Sequence, residues 1–151
     1  MASAKEKAMQ YFKDGYNCSQ SVVLAFSDKL GVDAETALKL SSSFGGGMGR
    51  LREVCGAVTG MFIVVGILYG YSNPNDQVAK AAHYELIQKL AKEFKDANHS
   101  IICRELLGLP EGPDNPTPSA RTKQYYAERP CEELVGMAAE IVEKLICKNK
   151  D

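Results

Sequence analysis

Apolar residues recur along this chain at intervals of three and four, the spacing of one face of an α-helix. The clearest stripe follows Pro130 and consists of Leu134, Val135, Ala138, Ile141, Val142, Leu145 and Ile146. No run alternates apolar and polar residues with the β-branched and aromatic enrichment of a strand. The pattern therefore predicts an all-α fold, a single-domain bundle of about six or seven helices over residues 1–151.

Helix boundaries are marked by polar residues that favour N-termini. Asn17 is followed three residues later by Gln20, as in a capping box. Asn73, followed by proline, and Ser100 predict two further helix starts. Four prolines fall within residues 109–119, so this stretch is predicted to be a loop, either a binding loop or a surface excursion.

One predicted helix, from about Leu51 to Tyr71, differs from the others because apolar residues occupy all of its faces. No charge occurs from Val54 to Tyr71, a length at the lower limit for a membrane span. This stretch also contains glycines that would let neighbouring backbones approach closely: Gly56, Gly60, Gly66 and Gly70. Amphipathic helices flank it, so we expect a buried central helix rather than membrane insertion.

Charge excludes some classes of function. The 18 basic and 19 acidic residues leave a formal net charge of -1, which argues against a nucleic-acid-binding surface. The polar, charged start from Met1 to Lys13 does not resemble a secretory signal. We therefore expect a cytoplasmic, reducing location, where cysteines more often serve metal or redox chemistry than structural disulfides.

The five cysteines divide into four and one. Cys18, Cys55, Cys103 and Cys131 each fall in or near the first turn of a predicted helix, on an apolar or wholly apolar face. Helix N-termini stabilise anions, so this position predicts lowered thiol pKa values. Cys147 has charged neighbours on its own helical face, which places it toward solvent. Burial purely for packing is the alternative for any one of the four.

A glycine-rich loop precedes Cys55. Its backbone N–H groups, with Gly46, Gly47 and Gly56 as the candidates, could face an anion or the sulfur atoms of a cluster near Cys55. The loop follows a helix and lacks the Lys-Ser/Thr of a P-loop, so nucleotide binding is not expected. For Arg52, at the end of this loop, we expect simple solvation.

These residues resemble a known family. The order Cys18, then Cys55-Gly56-Ala57 with Gly60, then Cys103 and Cys131, is similar to the redox-active proteins named after a C–GCAxxG–C–C pattern. The resemblance extends from about Ala8 to Ile146 and implies that the same four cysteines are redox-active. This cysteine pattern is also similar to a part of some multi-haem cytochromes that holds a small iron–sulfur cluster. The chain has no C-x-x-C-H haem site, however.

Three uses of the four thiols follow from this sequence. The first is an iron–sulfur cluster or other metal for electron transfer, with Cys18, Cys55, Cys103 and Cys131 as ligands. The second is thiol–disulfide exchange, and the third is a non-enzymatic binding or structural module with zinc-bound or packing cysteines. No other set of groups specifies a reaction. We expect a redox partner protein and leave a homodimer open.

Overall fold

The computed structural model describes residues 2–150 and confirms the predicted all-α class. The eight helices are α1 (Ala4–Lys13), α2 (Cys18–Leu24), α3 (Ala34–Ser42), α4 (Gly56–Tyr69), α5 (Gln77–Asn98), α6 (Cys103–Leu107), α7 (Lys123–Glu128) and α8 (Cys131–Asn149). Gly45–Met48 also makes helical hydrogen bonds, but Gly46 and Gly47 have left-handed φ angles, so we describe it as a turn. A short 3-10 helix occupies Ser27–Lys29. Residues 2–150 contain no β-strand.

Side-chain caps fix several of the helix starts. The Asn17 side chain accepts a hydrogen bond from the backbone N–H of Gln20, and the Gln20 side chain accepts one from Asn17, which confirms the predicted capping box. At the starts of α1, α5 and α7, a cap side chain likewise accepts a hydrogen bond from a backbone N–H of the first turn, the cap residues being Ser3, Asp76 and Thr122. These caps satisfy N–H groups that would otherwise lack partners in the first turn.

The central position of α4 is also as predicted. Its first six residues, Gly56 to Met61, are all buried, and the helix packs against both α2 and α8. The buried side chains of these helices form one continuous apolar core with α1. In residues 2–150 no helix is both long enough and apolar enough to cross a membrane.

Three predicted boundaries were wrong. The central helix begins at Gly56 rather than near Leu51, because the residues before it form a separate extended segment. Helix α5 begins at Gln77, capped by Asp76, rather than directly after Asn73 and Pro74. Helix α6 begins at Cys103 rather than at Ser100, whose hydroxyl instead accepts a hydrogen bond from Ile102.

The count of helices exceeds the prediction by one. Helix α7 was not predicted, because its six residues include no repeating apolar stripe. The proline-rich stretch at residues 109–119 contains no helix, as predicted. It lies against the glycine-rich turn, because the backbone N–H of Asp114 donates to the carbonyl oxygen of Arg50 over 2.9 Å.

Candidate four-cysteine site

Each of the four predicted site cysteines lies at the start of a helix. Cys18, Cys103 and Cys131 are the first residues of α2, α6 and α8, and Cys55 immediately precedes α4. Cys55, Cys103 and Cys131 are buried and Cys18 is half-buried. The four helix N-termini therefore carry their thiols into the interior.

Backbone pairing joins the two segments that lead into Cys55 and Cys103. Val54 and Ile102 form an isolated antiparallel bridge. On either side of this bridge, the N–H of Cys55 donates to the carbonyl oxygen of Ile101 over 2.8 Å. The N–H of Cys103 donates to the carbonyl oxygen of Glu53 over 2.6 Å. Residues far apart in sequence are thus held in register immediately before α4 and α6.

All four cysteines line one cavity of about 310 Å³, together with Gly46, Gly47 and Gly56. Volumes of this order are typical of small-molecule and cofactor sites. Cys147 is exposed, as predicted, and does not line this cavity. The sequence pattern therefore selected a set of thiols that the fold does bring together.

Two glycines allow the backbone to come this close to the cysteines. A Cβ atom on Gly47 would lie 2.5 Å from the Cβ of Cys103, and one on Gly56 would lie 2.9 Å from the Cβ of Cys18. Gly47 also has a φ of +70°, which side chains rarely tolerate. Both positions therefore require glycine for the cavity to keep its shape.

The protonation states of Cys131 and Cys18 depend on each other. A side-chain hydrogen bond from Cys18 is the largest cause that lowers the pKa of Cys131, to about 7 from an ordinary value of 9.0. Burial opposes this, while the positive charge of Arg129 and a hydrogen bond from Tyr125 support it. The same interaction with Cys131, together with burial, raises the pKa of Cys18 well above its ordinary value. At neutral pH about half of Cys131 is therefore ionised, while Cys18 is protonated.

The remaining two thiols stay protonated. Burial raises the pKa of Cys55 to about 12, despite the backbone N–H groups of Ala57 and Val58. Burial also raises the pKa of Cys103, although Arg52 acts against it. The prediction that helix N-termini lower all four thiol pKa values was therefore wrong for three of them. At Cys55 and Cys103 desolvation outweighs the helix dipole, and at Cys18 the interaction with Cys131 is the largest cause.

Arginines supply the charge of the cavity. The residues that line it include four guanidinium groups and no carboxylate, the arginines being Arg50, Arg52, Arg121 and Arg129. Arg52 is only 4% exposed, and its Nη1 atom lies 3.5 Å from the Sγ of Cys103. The expectation that Arg52 is simply solvated was therefore wrong. The backbone at Arg52 is left-handed, with a φ of +60°, and its side chain is directed inward.

The proline-rich loop closes part of the cavity wall through Pro116, Pro118 and Ser119. Asp114 of this loop pairs with both Arg50 and Arg52, at 3.1 and 3.0 Å. The Nε atom of Arg50 also donates to the Asn115 carbonyl oxygen over 2.7 Å. The loop is therefore bound to the glycine-rich turn at its middle, although most of its residues are exposed.

Metal-site geometry is absent from the described part of the chain. In residues 2–150, no group of three or more His, Cys, Asp or Glu side chains is arranged to hold a metal ion. Among the four thiols, Cys18 and Cys131 are the two whose pKa values are shifted chiefly by each other.

Comparison with known families decides the relationship of this chain. The model described as "Putative redox-active protein (C_GCAxxG_C_C)" matches residues 16–145. The chain belongs to this family. The four cysteines of the cavity all lie within the matched residues of this C_GCAxxG_C_C protein. No curated protein and no solved structure is significantly similar to the chain.

Sequence reasoning missed several residues of the site: Asp114, Arg121, Tyr125 and Arg129. The two arginines flank the segment that leads to Cys131, and a cation within ten residues of a candidate thiolate is a usable signal. Asp114 had no such signal, because its partners precede it by more than sixty residues in sequence.

Proposed function

We propose that this C_GCAxxG_C_C protein uses its four-cysteine cavity for redox chemistry, and that the reaction is thiol–disulfide exchange at Cys131 and Cys18. The family description supports redox activity in general. Two observations carry the specific proposal: Cys18 and Cys131 line the same cavity, and their side-chain interaction lowers the pKa of Cys131 while it raises that of Cys18. A thiolate beside a protonated thiol is the arrangement that an attacking and a resolving cysteine require.

The reaction oxidises the protein by two electrons. The Cys131 thiolate attacks one sulfur of a disulfide substrate, forming a mixed disulfide and releasing one thiolate, which takes a proton from solvent. Cys18 then loses its proton and attacks the Cys131 sulfur of the mixed disulfide. A Cys18–Cys131 disulfide forms, the second thiol leaves, and the substrate has been reduced to two thiols.

Tyr125 and Arg129 support the first step of this reaction. The Tyr125 hydroxyl and the Arg129 charge both favour the ionised form of Cys131. The pKa of Tyr125 itself is raised to about 12, chiefly by burial, so it is protonated and can donate its hydrogen bond at neutral pH. Both residues thus favour the nucleophilic form of Cys131.

An iron–sulfur cluster is the second candidate. It is favoured by a specific observation: all four thiols line the same cavity, and four guanidinium groups there would offset the charge of four thiolates. Cys18, Cys55, Cys103 and Cys131 form the standard donor set for such a cluster, which would supply one-electron transfer when bound. Three of these thiols would have to lose protons to bind it, because their pKa values are raised.

Purification without oxygen separates the two candidates. The protein is first analysed for iron, zinc and acid-labile sulfide and for visible absorption, and then treated with a disulfide and mapped by mass spectrometry. We expect a colourless, metal-free protein that forms a Cys18–Cys131 disulfide and loses two hydrogens. Cys131→Ser should abolish this reaction, and Cys147→Ser is the matched control that should not.

Retention of iron and sulfide in a fixed ratio would contradict the exchange reaction. In that case Cys55→Ser and Cys103→Ser should each remove the visible absorption. In the exchange reaction the same two variants should retain formation of the Cys18–Cys131 disulfide. The two substitutions therefore give opposite results for the two candidates.

A further inference from the structure

The four-cysteine cavity has an excess of positive charge. Within residues 2–150, Arg50 and Arg52 are the two of its four arginines that form ion pairs, and they share the carboxylate of Asp114. Arg121 has no carboxylate partner in residues 2–150, since its guanidinium donates to the carbonyl oxygens of Phe12 and Tyr16 over 2.7 and 3.0 Å. The cavity therefore attracts anions more strongly than the nearly neutral chain as a whole.

Two of these guanidinium groups have donors to spare. Arg129 is half-buried beside Tyr125, with its guanidinium 5.7 Å from the ring centroid, and neither an ion pair nor a side-chain hydrogen bond satisfies it in residues 2–150. The Nε atom of buried Arg52 likewise has no acceptor. An oxygen-bearing anion that entered the cavity would supply acceptors that the protein itself does not provide.

Access to the thiols limits the size of the substrate. Cys131 is 8% exposed and Cys18 is half-buried, and both are reached from the cavity rather than from the outer surface. A volume of about 310 Å³ accommodates a small molecule. The cavity therefore fits a small-molecule disulfide better than one enclosed within a folded protein.

We propose that the substrate of this site is a small disulfide that carries negative charge, of the class with carboxylate groups near the sulfur–sulfur bond. This inference rests on the proposed function and specifies its substrate. Arg129, which lines the cavity and whose charge acts on Cys131, would bind one carboxylate. The step itself is the exchange described above: the substrate accepts two electrons and leaves as two thiols, while Cys18 and Cys131 become a disulfide.

The test compares three disulfides of similar length that differ in charge: dithiodipropionate with two carboxylates, hydroxyethyl disulfide with none, and cystamine with two amines. The full-length Cys147→Ser protein is used, so that only cavity thiols react. The rate of Cys18–Cys131 disulfide formation is measured by mass spectrometry after acid quenching. Each rate is divided by that of a small free thiol with the same reagent, which removes the intrinsic reactivity of the disulfide.

We expect the normalised rate for the dicarboxylate to exceed that for the neutral disulfide by about 10-fold or more, with cystamine slowest. This preference should shrink as salt is raised, because ions screen the attraction. In Arg129→Gln the ratio of dicarboxylate to neutral rate should fall several-fold. Arg129→Lys should retain most of it. Lys89→Gln, which removes an exposed positive charge on α5, should leave the ratio unchanged.

The ratio rather than the absolute rate is the measured quantity. Loss of Arg129 also removes a charge that lowers the pKa of Cys131, which slows the reaction with every disulfide alike. Equal normalised rates for the three reagents, or the fastest rate for cystamine, would overturn the substrate class while leaving the exchange reaction intact. Failure of all three to form the Cys18–Cys131 disulfide would instead overturn the proposed function.

Discussion

Replacing Cys18 by alanine tests the interaction at the centre of the proposed pair. The hydrogen bond from Cys18 is the largest cause of the lowered pKa of Cys131, which is about 7 rather than 9.0. Alanine removes that donor, while the burial that raises the pKa of Cys131 remains. We therefore expect the pKa of Cys131 to return toward the ordinary value of 9.0.

The size of the rate effect follows from this shift. At pH 7 a thiol with a pKa near 7 is about half ionised, whereas one with a pKa near 9 is about 1% ionised, a loss of roughly 50-fold in thiolate. A thiolate of higher pKa is the better nucleophile, and a difference of two pKa units makes each thiolate react roughly 8-fold faster. The exchange rate of Cys131 at pH 7 should therefore fall by about 6-fold.

The assay follows the absorbance of the thione that is released from dipyridyl disulfide, between about pH 5 and pH 10, with Cys147 replaced by serine in every variant. Cys18→Ser is the matched control, because serine removes the resolving thiol but keeps a hydroxyl donor, so its midpoint should stay nearer to that of the parent. A midpoint near pH 7 in Cys18→Ala would refute the reasoning. It would assign the lowered pKa to the arginines instead.

Three further predictions concern the walls of the cavity and the fifth cysteine. Gly47→Ala should lower the free energy of unfolding in urea by roughly 2–5 kcal/mol, through left-handed strain and collision with Cys103, whereas Gly108→Ala, at a φ of +67° in open space, should cost only about 1–2 kcal/mol. Asp114→Asn should lower the melting temperature at neutral pH and increase proteolysis of the proline-rich loop. The two arginines that pair with Asp114 lower its pKa in the folded state, so the stabilisation from these pairs is fully present above the ordinary pKa of 3.8. It is lost as the pH falls through the folded pKa, and the difference in melting temperature between Asp114→Asn and the parent should then disappear. Cys147→Ser should change neither the unfolding free energy nor the rate of Cys18–Cys131 oxidation, and a change in either would place Cys147 in the site.

The fold was largely predictable because helix signals are local. The Asn17 capping box and the apolar stripe of α8 each depend on residues within a few turns of one another. The segment before α4 was not predictable in the same way, since its conformation depends on pairing with residues almost fifty positions later. The sequence near Leu51 alone does not indicate the pairing with Ile102.

The site was predictable in its thiols but not in its electrostatics. Helix position and face selected the four cysteines and separated Cys147 from them. The balance between burial and the helix dipole at Cys55 depends on how deeply the tertiary structure encloses the sulfur, which sequence spacing does not encode. The same holds for Arg52, which a local pattern assigns to solvent and the strained turn places beside Cys103.

The most direct test of the account is the identity of the first disulfide that forms in the protein. The protein is purified without oxygen, treated with one equivalent of a small disulfide at neutral pH, quenched in acid and mapped by mass spectrometry. The account predicts that the protein loses two hydrogens and that one linked peptide pair joins Cys18 to Cys131. A first disulfide that joins Cys55 to Cys103, or two copies of the chain through Cys147, would contradict it.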